Sequence, residues 1–270
     1  MIQSIDRAAR ILGLLQGARR LGVSDLGAAL GLPPSTVHGL VKSLQAHGLV
    51  AQEPDGNRYM LGPALLKLSS VYLDTLDVRS RSIRWMHALS QRTGFATRLG
   101  VPLLGDVLVI HHDRRPDGSE QMPETGITLP VHASAIGKVL AAYDDDVRAE
   151  LLARELADLT DHTVTDAASL TSALDDIRAA ALAWEIEEAV VGECSVAVPV
   201  VDDTGRVIAA VALVVPADAQ PVPDAALREL RDAARRVSRS VMLRYPSMST
   251  RGSVERSRMV SSGRNVVALG

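Results

Sequence analysis

The stretch SDLGAALGLPPSTVHGLVKSLQAHGLVAQEPDGNRYML, residues 24–61, decides how the chain begins. Ser24 is placed to cap a short helix through Leu26, Ala29 and Leu30, which Gly31 stops; Pro33-Pro34 opens another helix almost at once. Two short helices joined by a tight glycine-containing turn make a helix-turn-helix. In the second of them Val37, Leu40, Val41 and Leu44 recur at helical period, which leaves Ser35, Gly39, Lys42 and Ala46 outward, with His38 and Ser43 flanking. After Gly48, two extended segments surround Asp55-Gly56, a hairpin signal that turns Tyr59 and Leu61 inward and Arg58 outward. Upstream, Ser4 is placed to cap a helix with Ala8, Ile11, Leu12 and Leu15 on one face, ending near Gly17. Three helices and a hairpin make a winged helix-turn-helix.

Such a module sets its last helix in the major groove of double-stranded DNA and its wing against the neighbouring backbone. Lys42 and Arg58 are then the phosphate contacts, while Ser24, Ser35 and Thr36 bring hydroxyls and helix-terminal N–H groups to phosphates and Pro34 sits against the DNA at the start of the same helix. His38 is placed for a base edge, and Gly39 for close backbone approach. Few long side chains occupy this face, so DNA shape must supply part of any specificity. The alternative is a winged helix that contacts protein, with Lys42 and Arg58 as solvated charges.

Working outward, charge divides the chain of 270 residues. Residues 1–62 hold six Lys/Arg against four Asp/Glu, residues 63–245 nineteen against twenty-seven, and residues 246–270 four against one. A basic head on an acidic body fits a head that approaches a polyanion. The Ser/Arg/Gly-rich end, 246–270, reads as a disordered tail. The longest apolar run, Val207 to Val215, is too short to span a bilayer. Asp6, Arg7 and Arg10 stand where a secretory signal needs its apolar core, so a cytoplasmic location without membrane contact is expected. The lone Cys194 excludes an internal disulfide and a cysteine metal site. Seven aromatic residues are too few for a base-stacking single-strand binder.

The body alternates strand-like runs (96–101, 107–111, 196–201, 207–215) with helical ones (133–143, 147–156, 170–183, 225–243), preceded by a helix over PALLKLSSVYLDTLD and another through Ile83, Met86 and Leu89. The expected class is α+β, divided into a DNA-binding domain over 1–62, a linker helix over 63–78, an α/β domain over 79–245 and the tail. Exposed Leu and Val on the linker imply pairing with a second copy. A dimer that reads a palindrome holds its recognition helices about 34–36 Å apart or a multiple of that.

Several chemical signals dissolve on inspection. His111-His112-Asp113 resembles a metal cluster, but adjacent strand residues point to opposite faces. SAIGKVL lacks the upstream Gly and following Ser/Thr of a phosphate loop. Asp144-Asp145-Asp146 reads as the charged start of a helix. His132 sits where it can orient a helix, and neither it nor Cys194 has a nucleophile–base partner nearby in sequence. No enzyme and no cofactor are expected; a small-acid enzyme using Glu185, His132 or Cys194 is the rival reading, and a ligand-blind contact module another.

SIDRAARILGLL, LGLPPSTVHGLVKSLQAHGLV, YMLGPALLKL, LPVHASAIGKVLAAY, the T-x-x-T of TDHTVTD, and EEAVVGECSVAVPVVDDTGRVIAAV together resemble the IclR-type bacterial transcriptional regulators. IQSIDRAAR, VHGL and YLDTLDVRSR are most similar to the glycerol-operon regulator branch. The resemblance implies a GAF-like effector domain that binds a small metabolite, a homodimer or dimer of dimers, and repression of a catabolic operon. It places the effector pocket at Leu129, Ala135, Ile136, Glu185, Ser195, Ala212 and Val214. Here AVALVVP replaces the S-x-S-G-P run common in the family, which removes two hydroxyl donors worth roughly 0.5–1.5 kcal/mol each. The expectation is a bulkier or more apolar ligand than glyoxylate, or none; alternating Val and Ala are equally the pattern of plain core.

Overall fold

The computed structural model describes residues 2–242, so the tail expected over 246–270 lies outside the described residues. The head contains α1 (Gln3–Ala18), β1 (Leu21–Gly22), α2 (Val23–Leu30), α3 (Pro34–Ala46), β2 (Val50–Gln52) and β3 (Arg58–Leu61), with β3 between β1 and β2 in an antiparallel sheet. Its core joins Ile11 and Leu15 of α1, Leu26 and Leu30 of α2, and Val37, Val41 and Leu44 of α3, closed by Val50 and Tyr59 of the wing.

The helical period places the α3 stripe as expected, with Leu40 half-buried. Other details differ. Neither serine caps a helix: Ile2 precedes α1, and Gly22 precedes α2, where the Asp25 carboxylate accepts the Gly22 N–H at 2.9 Å. Gly17 lies inside α1, which ends on Arg19 at φ 63°. Gly27 rather than Ala29 faces the core, because the Leu32 carbonyl presses against that side of α2. Leu61 is exposed, because β3 ends there and no element covers its face.

α4 (Ala64–Thr75) links the head to the second half and buries none of its residues. It leads into α5 (Asp77–Thr93), β4 (Ala96–Leu103), β5 (Asp106–Asp113), β6 (Thr128–Leu129), α6 (Ala135–Tyr143), α7 (Asp145–Leu152), α8 (Ala167–Ala180), β7 (Ala183–Ile186), β8 (Glu193–Val201), β9 (Val207–Pro216) and α9 (Asp224–Met242). The strands form one antiparallel sheet in the order β6-β5-β4-β9-β8-β7. Met86 and Leu89 of α5 and Leu230 and Val237 of α9 cover one face, packed on Leu99, Val196, Val211 and Leu213. Ile83 points outward and Ser82 inward, which departs from the expected stripe. α6 and α8 cover the other face over Val107, Ala197, Ala210 and Ala212. Ala183 opens β7 rather than closing α8; the chain turns between them at Ala181, in the left-handed region at φ 51°. This is an α+β chain with a helix-turn-helix head and an α/β body. Among the described residues no helix is long and apolar enough to cross a membrane.

Candidate DNA-binding and effector sites

On the head, α3 presents Pro34, Ser35, His38, Gly39 and Lys42 to solvent, and Thr36 is half-buried. Nothing lies within 4 Å of where a Gly39 side chain would project, so backbone can approach there. A cleft of about 560 Å³ between the start of α2, α3 and the wing brings together Ser24, His38, Lys42 and Arg58, with Asp25 and Asn57 beside them. Among the described residues neither Lys42 nor Arg58 pairs with a carboxylate, which leaves both charges for a polyanion. The wing is stiffened by the Gln52 side chain donating to the Gly56 carbonyl at 3.1 Å and by an Arg20–Glu53 ion pair. Asn57, which the sequence reading did not single out, also lines this cleft, beside Arg58 at the hairpin tip.

In the body, strand register sets Glu185, Ser195 and Val214 side by side across β7, β8 and β9, with Ala212 two residues along. Glu185 accepts the Ser195 hydroxyl at 2.7 Å and the Glu188 N–H at 2.8 Å. Burial pushes the Glu185 pKa up, against those hydrogen bonds. Leu129, Ala135, Ile136 and Ala212 pack together in the core under α6. The A-x-G-K lysine, Lys138, makes a buried ion pair with Glu188, and Gly137 is required because a Cβ would strike the Val131 backbone. His132 bonds the Ala157 carbonyl at 2.9 Å, and Cys194 is buried.

Beside this group lies a cavity of about 350 Å³, walled by Val214 and Val215 and closed by the segments carrying His112, Arg115, Glu124 and Glu193. Val214 is the one carried-over residue that lines it. Two of its lining carboxylates, Glu124 and Glu193, are held by Arg98, which stands across the strands from His112 and Ala212. Arg98 is 6% exposed and bonds both Glu124, at 2.8 Å through one contact, and Glu193, at 2.8 Å. Burial alone would lower the Arg98 pKa, but the Glu124 and Glu193 bonds raise it above its ordinary value. Burial likewise opposes ionisation of Glu124, but the Arg98 bond holds its carboxyl below the ordinary value, and burial lowers the His112 pKa. The adjacent histidines turn apart, His111 to Asp113 at 2.9 Å and His112 toward Glu124 at 3.5 Å. Arg115 offers a buried Nε with no hydrogen-bond partner, 3.8 Å from Asp117. The site therefore offers paired charges, a buried Arg115 N–H that makes no hydrogen bond among the described residues, and an apolar wall.

Comparison with known proteins places both halves. The IclR helix-turn-helix domain model matches residues 4–54, and the bacterial transcriptional regulator IclR C-terminal model matches residues 70–239. A glycerol operon regulatory protein of Streptomyces griseus is 42% identical over 89% of this chain and 96% of its own. The HTH-type transcriptional regulator XynR of Escherichia coli is 36% identical over 79% and 86%. An IclR transcriptional regulator from Alicyclobacillus acidocaldarius superposes with TM-score 0.77 at 25% identity, over 89% of this chain and 99% of its own. An IclR homolog from Microbacterium hydrocarbonoxydans complexed with 4-hydroxybenzoate gives TM-score 0.75 at 26% identity, over 88% and 98%. The helix-turn-helix head and the α/β body are both matched, and the likeness runs over most of the length of these regulators: the chain belongs to the IclR family of bacterial transcriptional regulators.

Proposed function

We propose that the chain is a homodimeric repressor that holds an operator through Ser24, Pro34, Ser35, Thr36, His38, Gly39, Lys42 and Arg58 and releases it when a small metabolite enters the 350 Å³ cavity. The observation that carries the first half is the cleft joining α2, α3 and the wing, where Lys42 and Arg58 stand without carboxylate partners among the described residues. The names of the Streptomyces relatives make glycerol use the first pathway to test. The metabolite is a small polar molecule with an acceptor oxygen for Arg115 Nε and hydroxyls for the lone pairs that Arg98 leaves open on the Glu124 and Glu193 carboxylates. Val214, with Leu129, Ala135, Ile136, Glu185, Ser195 and Ala212 around it, supplies the wall and the frame behind it. The unpartnered apolar stripe of Leu68, Val71 and Tyr72 on α4 supports pairing with a second copy.

The test is an electrophoretic shift titration on the intergenic DNA beside the gene and beside glycerol-use genes, against scrambled DNA, at two salt concentrations. Glycerol and glycerol 3-phosphate are added in turn. Preference for the native fragment, relieved by one of the two, is the expected result. Equal affinity for native and scrambled DNA that collapses with salt would overturn specific recognition at those sites.

A further inference from the structure

Strand β8 is nine residues long, but β7 pairs with it only over Cys194–Ala197, so among the described residues its outer edge lacks a strand partner from Val198 onward. That edge is closed to an added strand. Pro199 has no N–H, and the Val201 N–H already donates to the Ser238 hydroxyl of α9 at 3.0 Å. Between this edge and α9 lies an open trough of about 430 Å³ with Val198, Pro199, Val201, Ala234 and Met242 on its floor. Arg231, Arg235 and Arg239 follow one another along its α9 rim, one helical turn apart.

The charges along that rim are unbalanced. α9 carries five arginines against three acidic residues, and two of the acids are already engaged, Glu229 with Arg92 and Asp232 with Arg235. Among the described residues Arg231 and Arg239 have no carboxylate partner, although the segment 63–245 as a whole is acidic. Two free guanidinium groups over an apolar floor complement a molecule with one anionic end and a hydrocarbon body. The trough shares no lining residue with the cavity beside Val214, and the two lie at opposite ends of β8.

We propose that this trough is a second ligand site, for an amphipathic monoanion such as a medium-chain carboxylate. The chain lies along Val198, Val201 and Ala234, and the carboxylate meets one of the two guanidinium groups, Arg231 or Arg239, which the helix sets about 12 Å apart. The full-length protein is titrated calorimetrically with octanoate, decanoate and octanol. Saturable octanoate binding is expected, with decanoate more than tenfold tighter, since each buried methylene is worth about fourfold. Octanol and the double variant Arg231→Gln/Arg239→Gln should each weaken binding at least tenfold; both arginines are exposed, so the fold is spared. Filling the other cavity with Val214→Phe should leave octanoate affinity unchanged. The proposal is overturned by absence of saturable octanoate binding, by affinity unchanged in the double variant, or by loss in Val214→Phe. It is overturned equally if octanoate does not bind and the double variant alters self-association by sedimentation, which would make the trough a contact between copies.

Discussion

A guanidinium as buried as Arg98 needs carboxylates, and it draws them from 26 and 95 residues away. Nothing local in the sequence announces this: Arg98 reads as one residue of a strand, and Glu124 and Glu193 as loop charges. The position of His112 on the same face was open to strand alternation; the distant pairing was not. Replacing Arg98 by Met leaves two half-buried carboxylates facing each other, a loss of about 3 kcal/mol by analogy with broken buried pairs, to be read as a lowered melting temperature. The pH dependence has a definite sign. The folded Glu124 pKa lies below its ordinary 4.5, so its stabilisation is complete above that pH and is lost as pH falls through the lowered value. The stability gap between the native chain and Glu124→Gln should therefore narrow below about pH 4.5 in acid unfolding titrations. On the head, Lys42→Ala should weaken operator and scrambled DNA alike and lower the salt slope by about one. An unchanged slope would remove Lys42 from the phosphate contacts.

At the scale of elements, α3 was legible because a period of 3.6 fixes both its stripe and its outward face, and the Pro-Pro start fixes its phase. The caps were less legible: Ser4 and Ser24 are plausible by residue type, but Asp25 reaches the Gly22 N–H and the helix starts two residues earlier. Alternation carried Leu61 inward because it shares parity with Tyr59; the strand ends before anything packs on it. β7 went unseen because Ala183 continues the apolar period of α8, and only the left-handed Ala181 breaks the helix. Gly62 is the glycine on which the wing depends. A Cβ there would strike the Gly48 carbonyl, backbone against backbone, with no side chain to give way. Gly62→Ala should destabilise the head by about 1–3 kcal/mol, in the range of overpacked sites, and melting of the full chain monitored in the head would register it.

For the whole molecule, α4 is the helix left uncovered among the described residues: Leu68 and Val71 are 59% and 60% exposed on a helix with no buried residue. Leu68→Lys/Val71→Lys should shift light-scattering mass toward the monomer and reduce operator affinity by roughly a hundredfold or more, as bivalent engagement is lost. Retained mass and affinity would place the self-contact elsewhere. The architecture was visible in the order of the motifs, whereas both cavities arise from loops and edges brought together by the sheet. The joint between head and α4 has a mechanical consequence. Gly62 donates its N–H to the Leu49 carbonyl at 2.8 Å and Ala64 donates to Gly48 at 3.1 Å, so the first turn of α4 is bolted to the end of α3. Twelve helical residues span ~18 Å. A swivel of ~10° at the far end of such an arm sweeps the reading head through ~3 Å, close to the rise of one base pair. Because those two hydrogen bonds fix the head to the arm, a tilt of that size at the body end would be enough to displace α3 by about one base step.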